Sequence, residues 1–145
     1  MRRAGCAWES EARSGGGAPC RIQVASDQRF RRSCRLTRPA DFTGVFALRR
    51  RLASAHFQLN YRPNCCRSAR LGVVVPRKLA ALAVHRNLLK RICRECFRSH
   101  RAGLPECDIV FRLSSRFGRP QRVEVRAEVE RLLVRLCEIP AAGSR

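Results

Sequence analysis

Residues 70–101 run from Arg70-Leu71-Gly72-Val73-Val74-Val75-Pro76-Arg77-Lys78 through an apolar linker to Val84-His85-Arg86-Asn87-Leu88-Leu89-Lys90-Arg91-Ile92-Cys93-Arg94-Glu95-Cys96-Phe97-Arg98 and end at Arg101. The first part is rich in β-branched residues and stops at a proline, so it reads as a strand ending in two cations. The second part has a helical period. At about 100° per residue, Leu88, Leu89, Ile92, Cys93, Cys96 and Phe97 fall on one half of the helix. Asn87, Lys90, Arg91, Arg94, Arg98 and Arg101 fall on the other. Exposed helix faces usually mix signs, because acid–base pairs at i,i+4 support the helix. Glu95 is the one acid in this segment. A face of like charges is favourable where phosphate neutralises it.

Working outward, Phe42, Val45 and Phe46 recur at i, i+3, i+4 and predict a helix, with Thr37 as N-cap, Pro39 in the first turn and Arg49-Arg50-Arg51 at the C-terminal end. His56–Tyr61 alternates as a strand, with Phe57, Leu59 and Tyr61 on one face and His56, Gln58 and Asn60 on the other. Gly103 and Pro105 end the long helix. Cys107–Leu113 predicts a third strand. Val125, Val129, Leu132, Leu133 and Leu136 define a last amphipathic helix ending before Pro140. The order helix, strand, strand, helix, strand, helix is that of a small α+β domain, a central sheet with helices packed on it. We expect one domain over residues 34–139, a flexible basic extension over 1–33 that includes the linker Ser14–Pro19, and a short tail over 140–145. Met1 is the sole methionine, and a start nearer Arg29 is the alternative to a genuine basic tail.

The charge bounds the function. The 145 residues carry 31 Lys and Arg against 11 Asp and Glu, a net +20, with 45% hydrophobic residues to build a core. Such a chain calls for an anionic partner, and nucleic acid fits it better than a membrane, since no apolar run approaches a spanning length. Lys78 and Lys90 are the two lysines, and both fall in the segments singled out above. Nine cysteines, an odd number, and a charged N-terminus without a secretory apolar stretch suit reduced thiols in a cytoplasmic protein. Cys93-x-x-Cys96 has zinc-like spacing. It lies in a helical apolar pattern without a second pair, so both cysteines read as core and no metal ligands are expected.

Aromatic residues near cations suggest a seat for single-stranded nucleic acid. Phe57 and Tyr61 on a strand, and Phe42 and Phe46 on the first helix, are candidates for base stacking, with Arg77 and Lys78 at the rim. At i,i+4 spacing, a core role for Phe42 or Phe46 competes with that one. The acids are sparse, and no Ser-His-Asp or His-His arrangement suggests itself from His56, His85 and His100. We therefore expect no catalytic residues on the protein.

Together these segments resemble the bacterial ribonuclease P protein family: Arg70–Lys78, then Ala83–Arg98 with its Arg-Asn-x-x-Lys-Arg and Arg-Glu-x-Phe-Arg elements, the first helix around Asp41-Phe42 and Val45-Phe46, and Cys107-Asp108-Ile109-Val110. The resemblance spans roughly residues 34–138, in order. It implies an endoribonuclease that is a ribonucleoprotein, in which the RNA subunit, with Mg2+ held mainly by that RNA and the substrate, removes the 5′ leader of precursor tRNA. It assigns Arg86, Asn87, Lys90, Arg91 and Arg94, with Arg98 on the same face, to the RNA subunit. It assigns Phe42, Phe46, Phe57, Arg77 and Lys78, with Tyr61 beside Phe57, to the leader in a cleft between the first helix and the sheet. One protein per RNA and a left-handed crossover between parallel strands are also implied. Leu88 departs from the family pattern, standing where an arginine is usual. The competing readings are a non-catalytic RNA-binding protein of the ribosome, a protein nuclease and a DNA-binding regulator.

Overall fold

A computed structural model describes residues 30–66, 68–119 and 121–139. The expected extension before Phe30 and the tail after Ile139 lie outside the described residues. The elements are α1 (Pro39–Ala47), β1 (Arg51–Ala53), β2 (Phe57–Pro63), β3 (Arg70–Val74), α2 (Ala83–His100), β4 (Cys107–Leu113) and α3 (Arg122–Glu138), with single 3-10 turns at Arg32–Cys34 and Arg101–Gly103. The sheet order is β1-β2-β4-β3. β2 is antiparallel to β1 and β4, and β3 runs parallel to β4, joined to it through α2. This is the α+β arrangement expected, with one strand more than the sequence suggested.

The two faces of the sheet have different tasks. Phe57 and Leu59 of β2, Leu71 of β3, and Ile109, Phe111 and Leu113 of β4 share one face and are buried. Against them pack Leu89, Cys93, Cys96 and Phe97 of α2 and Val125, Val129, Leu132, Leu133 and Leu136 of α3. Burial of each such side chain is worth about 1.5–3 kcal/mol, which makes this the main core. The opposite face carries α1, whose Val45 is buried against Val110 and Leu36.

A polar row fixes α1 on that second face. Asp108 of β4 is 0% exposed and pairs in register with Arg62 of β2 and Arg70 of β3. Arg70 donates Nε to Oδ1 at 2.7 Å and Nη2 to Oδ2 at 2.8 Å, Arg62 donates to Oδ2 at 3.0 Å, and Asn64 Nδ2 donates to Oδ1 at 2.7 Å. Arg70 also reaches Asp41 on the first turn of α1, at 3.7 Å. The Arg62 guanidinium occupies the space a Cβ on Gly44 would fill, so a larger residue where the helix crosses it would have to displace that guanidinium. Burial by itself would raise the Asp108 pKa, but the hydrogen bonds from Arg70, Asn64 and Arg62 outweigh it and hold the carboxyl below its ordinary value.

Glu128 on α3 does the same for the other layer. One oxygen accepts the backbone N–H groups of His56 (2.6 Å) and Phe57 (3.1 Å), and the other lies 3.1 Å from His56 Nδ1. Burial would raise its pKa too, and the bonds from the His56 N–H, Ser54, the His56 ring and the Phe57 N–H bring it below the ordinary value.

Several boundaries differ from expectation for local reasons. Thr37 is not the N-cap. Arg38 holds that place and Pro39 is N1. The Arg49–Arg51 run does not close the helix, because Arg49 turns the chain with φ 51° and Arg51 already belongs to β1. Residues 30–33 belong to the folded unit rather than to the extension. The Phe30 ring meets Phe97 edge-on at 5.8 Å, Arg35 lies 4.9 Å over Phe30, and Cys34 is fully buried. Cys93, Cys96 and Cys107 are buried as core residues, and burial pushes the thiols of Cys96 and Cys107 up to about 11 and about 12.

Asp108→Ala leaves Arg62 without its carboxylate and Arg70 with Asp41 alone, and should cost about 3–5 kcal/mol of folding stability, measured by urea denaturation. The folded-state pKa values of Asp108 and Glu128 are both depressed, so the stabilisation is complete above the unfolded pKa values of roughly 4 and is lost as pH falls through the folded ones. A melting-temperature profile should therefore fall steeply below about pH 4, and Glu128→Gln should make that fall shallower.

Candidate nucleic-acid interface

The long helix presents its cations as its period requires. Asn87, Arg91 and Arg94 are exposed, and Lys90 and Arg98 are partly so, while Leu89, Cys93, Cys96 and Phe97 are buried beneath them. The lone acid, Glu95, is exposed and pairs weakly with Arg98 at 3.6 Å. Arg86 differs from the others. Its Nη1 donates to the carbonyls of Ala80 (3.0 Å) and Ala81 (2.6 Å), so it braces the loop that enters the helix. Leu88 is half-buried and outside the core cluster, so replacing the usual cation there removes charge without adding to the core.

The second surface is a groove beside α1 on the sheet face away from the core. Phe42 and Phe46 are both half-buried. Phe42 lies against Gly72 so closely that a Cβ there would come within 2.5 Å of the ring. Together with Phe30, Arg35, Gly72 and Arg94, Phe42 lines a cavity of about 130 Å³. Phe46 faces Arg112, whose guanidinium carbon is 6.0 Å from the ring centroid. Arg112 is exposed and pairs in register with Gln58 on one side and Val74 on the other. β3 and β4 are parallel, so Arg77 and Lys78, both exposed beyond the end of β3, stand at the same end of the sheet as Arg112.

Two assignments do not survive. Phe57 is 0% exposed, and Tyr61 is half-buried against the same core cluster. Both side chains point to the α2/α3 face, away from the groove, because the apolar side of an alternating strand goes to the core. The residues that β2 gives the groove are the polar ones, Gln58, Asn60 and Arg62, and β4 adds Arg112. None of these four was among the expected contacts. The signal was present as a polar stripe of period two on β2, repeated by Asp108 and Arg112 on β4.

Among the described residues no group of three or more His, Cys, Asp or Glu is placed to hold a metal ion. The buried carboxylates are already engaged, Asp108 by arginines and Glu128 by His56. No helix among the described residues is long and apolar enough to cross a membrane.

Comparison with known proteins finds relatives over the described fold. The family model described as Ribonuclease P matches residues 30–137, taking in Phe30 and Cys34 as the structure does. A ribonuclease P protein component from an Azoarcus species is 44% identical over 113 residues, 78% of this chain and 94% of that protein. One from Chromobacterium violaceum is 41% identical over 119 residues, 82% and 98% of the two chains. Among solved structures, the RNase P protein of Thermotoga maritima superposes with a TM-score of 0.61 at 35% identity, covering 70% of this chain and 96% of that one. That of Staphylococcus aureus gives 0.64 at 27% identity, with 69% and 92% covered.

The basic face yields a direct test. Lys90→Ala and Arg91→Ala should each weaken binding to a structured RNA partner and reduce the slope of log affinity against log salt by about one unit. An unchanged slope in a folded variant would mean that the face is only solvated.

Proposed function

The chain belongs to the ribonuclease P protein family, the protein component of an RNA-containing endoribonuclease of tRNA processing, and on that premise we propose how its two surfaces divide the work. The α2 face, through Asn87, Lys90, Arg91, Arg94 and Arg98, binds the catalytic RNA subunit, and Arg86 holds the loop that sets the start of that face. The groove beside α1 holds the single-stranded 5′ leader of precursor tRNA. Phe42 and Phe46 offer ring faces to its bases, and Arg77, Lys78 and Arg112 offer charge to its phosphates. A reading as a ribosomal structural protein is not favoured, since the family match covers residues 30–137, nearly all of the described fold.

The observation that carries the leader assignment is the composition of the groove: half-buried phenylalanines on one wall, arginine and amides on the floor, and cations at one end. Flat rings with nearby charge bind flexible single strands with little regard to sequence. The protein contributes binding and orientation, and hydrolysis of the phosphodiester falls to the RNA. The engaged carboxylates support the reading that Mg2+ is held by RNA and substrate. One protein per RNA and a cytoplasmic setting complete the proposal.

The leader must be what the groove sees, and mature tRNA has none. Phe46→Ala should therefore cost the ribonucleoprotein about 1–3 kcal/mol of affinity for precursor tRNA and leave affinity for mature tRNA unchanged, as measured by equilibrium binding. Equal losses for both would contradict the assignment. Phe57→Ala should instead cost about 3–5 kcal/mol of folding stability, as a buried ring does. Highly purified protein free of RNA should not cleave precursor tRNA at all.

A further inference from the structure

Cys65 and Cys66 sit side by side in the connection between β2 and β3, and among the described residues they are the two exposed cysteines. Cys34, Cys93, Cys96 and Cys107 are buried, and Cys137 is half-buried. Cysteine is among the residue types most often buried, so two adjacent thiols in solvent stand apart from the rest. Thiol reactivity follows exposure and the charge around the sulfur. Arg70, whose pKa is raised chiefly by its hydrogen bond to Asp108, also feels the charge of a Cys66 thiolate. That attraction is mutual, so Cys66 has a guanidinium near it.

The same loop helps to hold the buried carboxylate. Asn64 Oδ1 accepts the Cys66 N–H at 3.1 Å, which orients the amide so that Nδ2 donates to Asp108 Oδ1 at 2.7 Å and to the Ser68 carbonyl at 3.2 Å. The Cys66 N–H belongs to the peptide that joins the two cysteines. A bond between their sulfurs would close a small ring that contains this peptide. Adjacent Cα atoms are about 3.8 Å apart, whereas bridged cysteines usually hold theirs about 4.4–6.8 Å apart. The ring therefore closes only when the peptide turns, and that turn takes the N–H away from Asn64.

We propose that Cys65-Cys66 is a thiol–disulfide exchange site for low-molecular-weight disulfides of the glutathione class, and that its closure to a vicinal disulfide loosens the hold of Asn64 on Asp108. The Cys66 thiolate attacks one sulfur of the incoming disulfide, whose S–S bond breaks. One half leaves as a thiolate and takes up a proton, and the other half stays on Cys66. Cys65 then gives its proton to solvent and attacks the Cys66 sulfur, and the second half leaves as a thiol. Two protein thiols lose two electrons, and the small disulfide is reduced to two thiols. The buried cysteines do not compete, because burial keeps the thiols of Cys96 and Cys107 protonated and only a thiolate attacks. The loop leads into the start of β3, at the opposite end of that strand from Arg77 and Lys78, so the exchange does not depend on the leader groove.

The test equilibrates the full-length chain in glutathione buffers of increasing oxidised fraction and quenches with acid. Mass spectrometry then reads the tryptic peptide of residues 52–67, which holds Cys65 and Cys66 and no other cysteine. That peptide should lose two hydrogens, reversibly, while Cys93, Cys96 and Cys107 stay reduced. Cys65→Ser should instead accumulate glutathione on Cys66, and Cys66→Ser should react several-fold more slowly than Cys65→Ser. The melting temperature of the oxidised wild type should fall by about 4–8 °C, as for one hydrogen bond lost from a small domain. Asn64→Ala should abolish the difference between the reduced and oxidised forms. A peptide that stays reduced or carries glutathione on both cysteines, serine variants that react at equal rates, or oxidation that spreads to the buried cysteines at the same poise overturns the exchange site. An oxidised wild type with an unchanged melting temperature overturns its link to Asp108.

Discussion

The buried Asp108 carboxylate is the constraint around which the functional face is arranged. A carboxylate removed from water is tolerable only when it is paired and hydrogen-bonded. Asp108 meets that condition by drawing in Arg62 from β2, Arg70 from β3 and Asn64 from the connection between them. These strands are not all neighbours in sequence, and β3 and β4 are joined only through α2. The ion-pair row therefore fixes a register that local turns do not. Arg70 then extends to Asp41, and Gly44 lets α1 settle over Arg62. From that anchored first half, α1 carries Val45 onto Val110 and leaves Phe46 opposite Arg112. The groove exists because the helix is held at one end by charge, along its middle by packing, and not covered at its other end.

This arrangement separates cohesion from recognition. The apolar face of the sheet is consumed by α2 and α3, and α2 is itself two-sided, with its core stripe under a row of cations. One helix therefore stabilises the fold and presents the cationic face that the proposed function gives to the RNA subunit. The other sheet face keeps its polar residues because α1 covers only part of it. An excess of twenty positive charges would be self-repelling in isolation, and the cations exposed on α2 and at the end of the sheet suit a partner that reaches both surfaces at once.

Much of this was legible in the chain. Cys107–Leu113 is long enough, and apolar enough, to be read as a buried strand, and its bounds agree with the structure. The two long helices have periods that leave little choice. Arg51–Ala53 could not be read, because three residues are too few to display alternation and the preceding arginines look like the end of a helix. The alternation over 56–61 was correct, yet which face meets the groove is a tertiary fact. Aromatic rings on a strand invite a stacking role, but the same rings are the best core material the strand has, and the core took Phe57 outright. Cys34 shows the converse. A cysteine inside a basic run looks like part of a tail, and only its partners, reached through the pairing of Arg35 with Leu71, bring it inside. The fourfold engagement of Asp108 depends on strand order and has no signature in spacing.

The central claim is that a groove anchored in this way holds the leader while α2 holds the RNA. The most direct measurement is the affinity of the reconstituted ribonucleoprotein for precursor tRNAs whose leaders are lengthened one nucleotide at a time. The account predicts that affinity rises over the first several nucleotides and then levels off once the groove is filled, and that the rise disappears when Phe46 and Arg112 are both replaced. Affinity independent of leader length in the wild-type complex would contradict it.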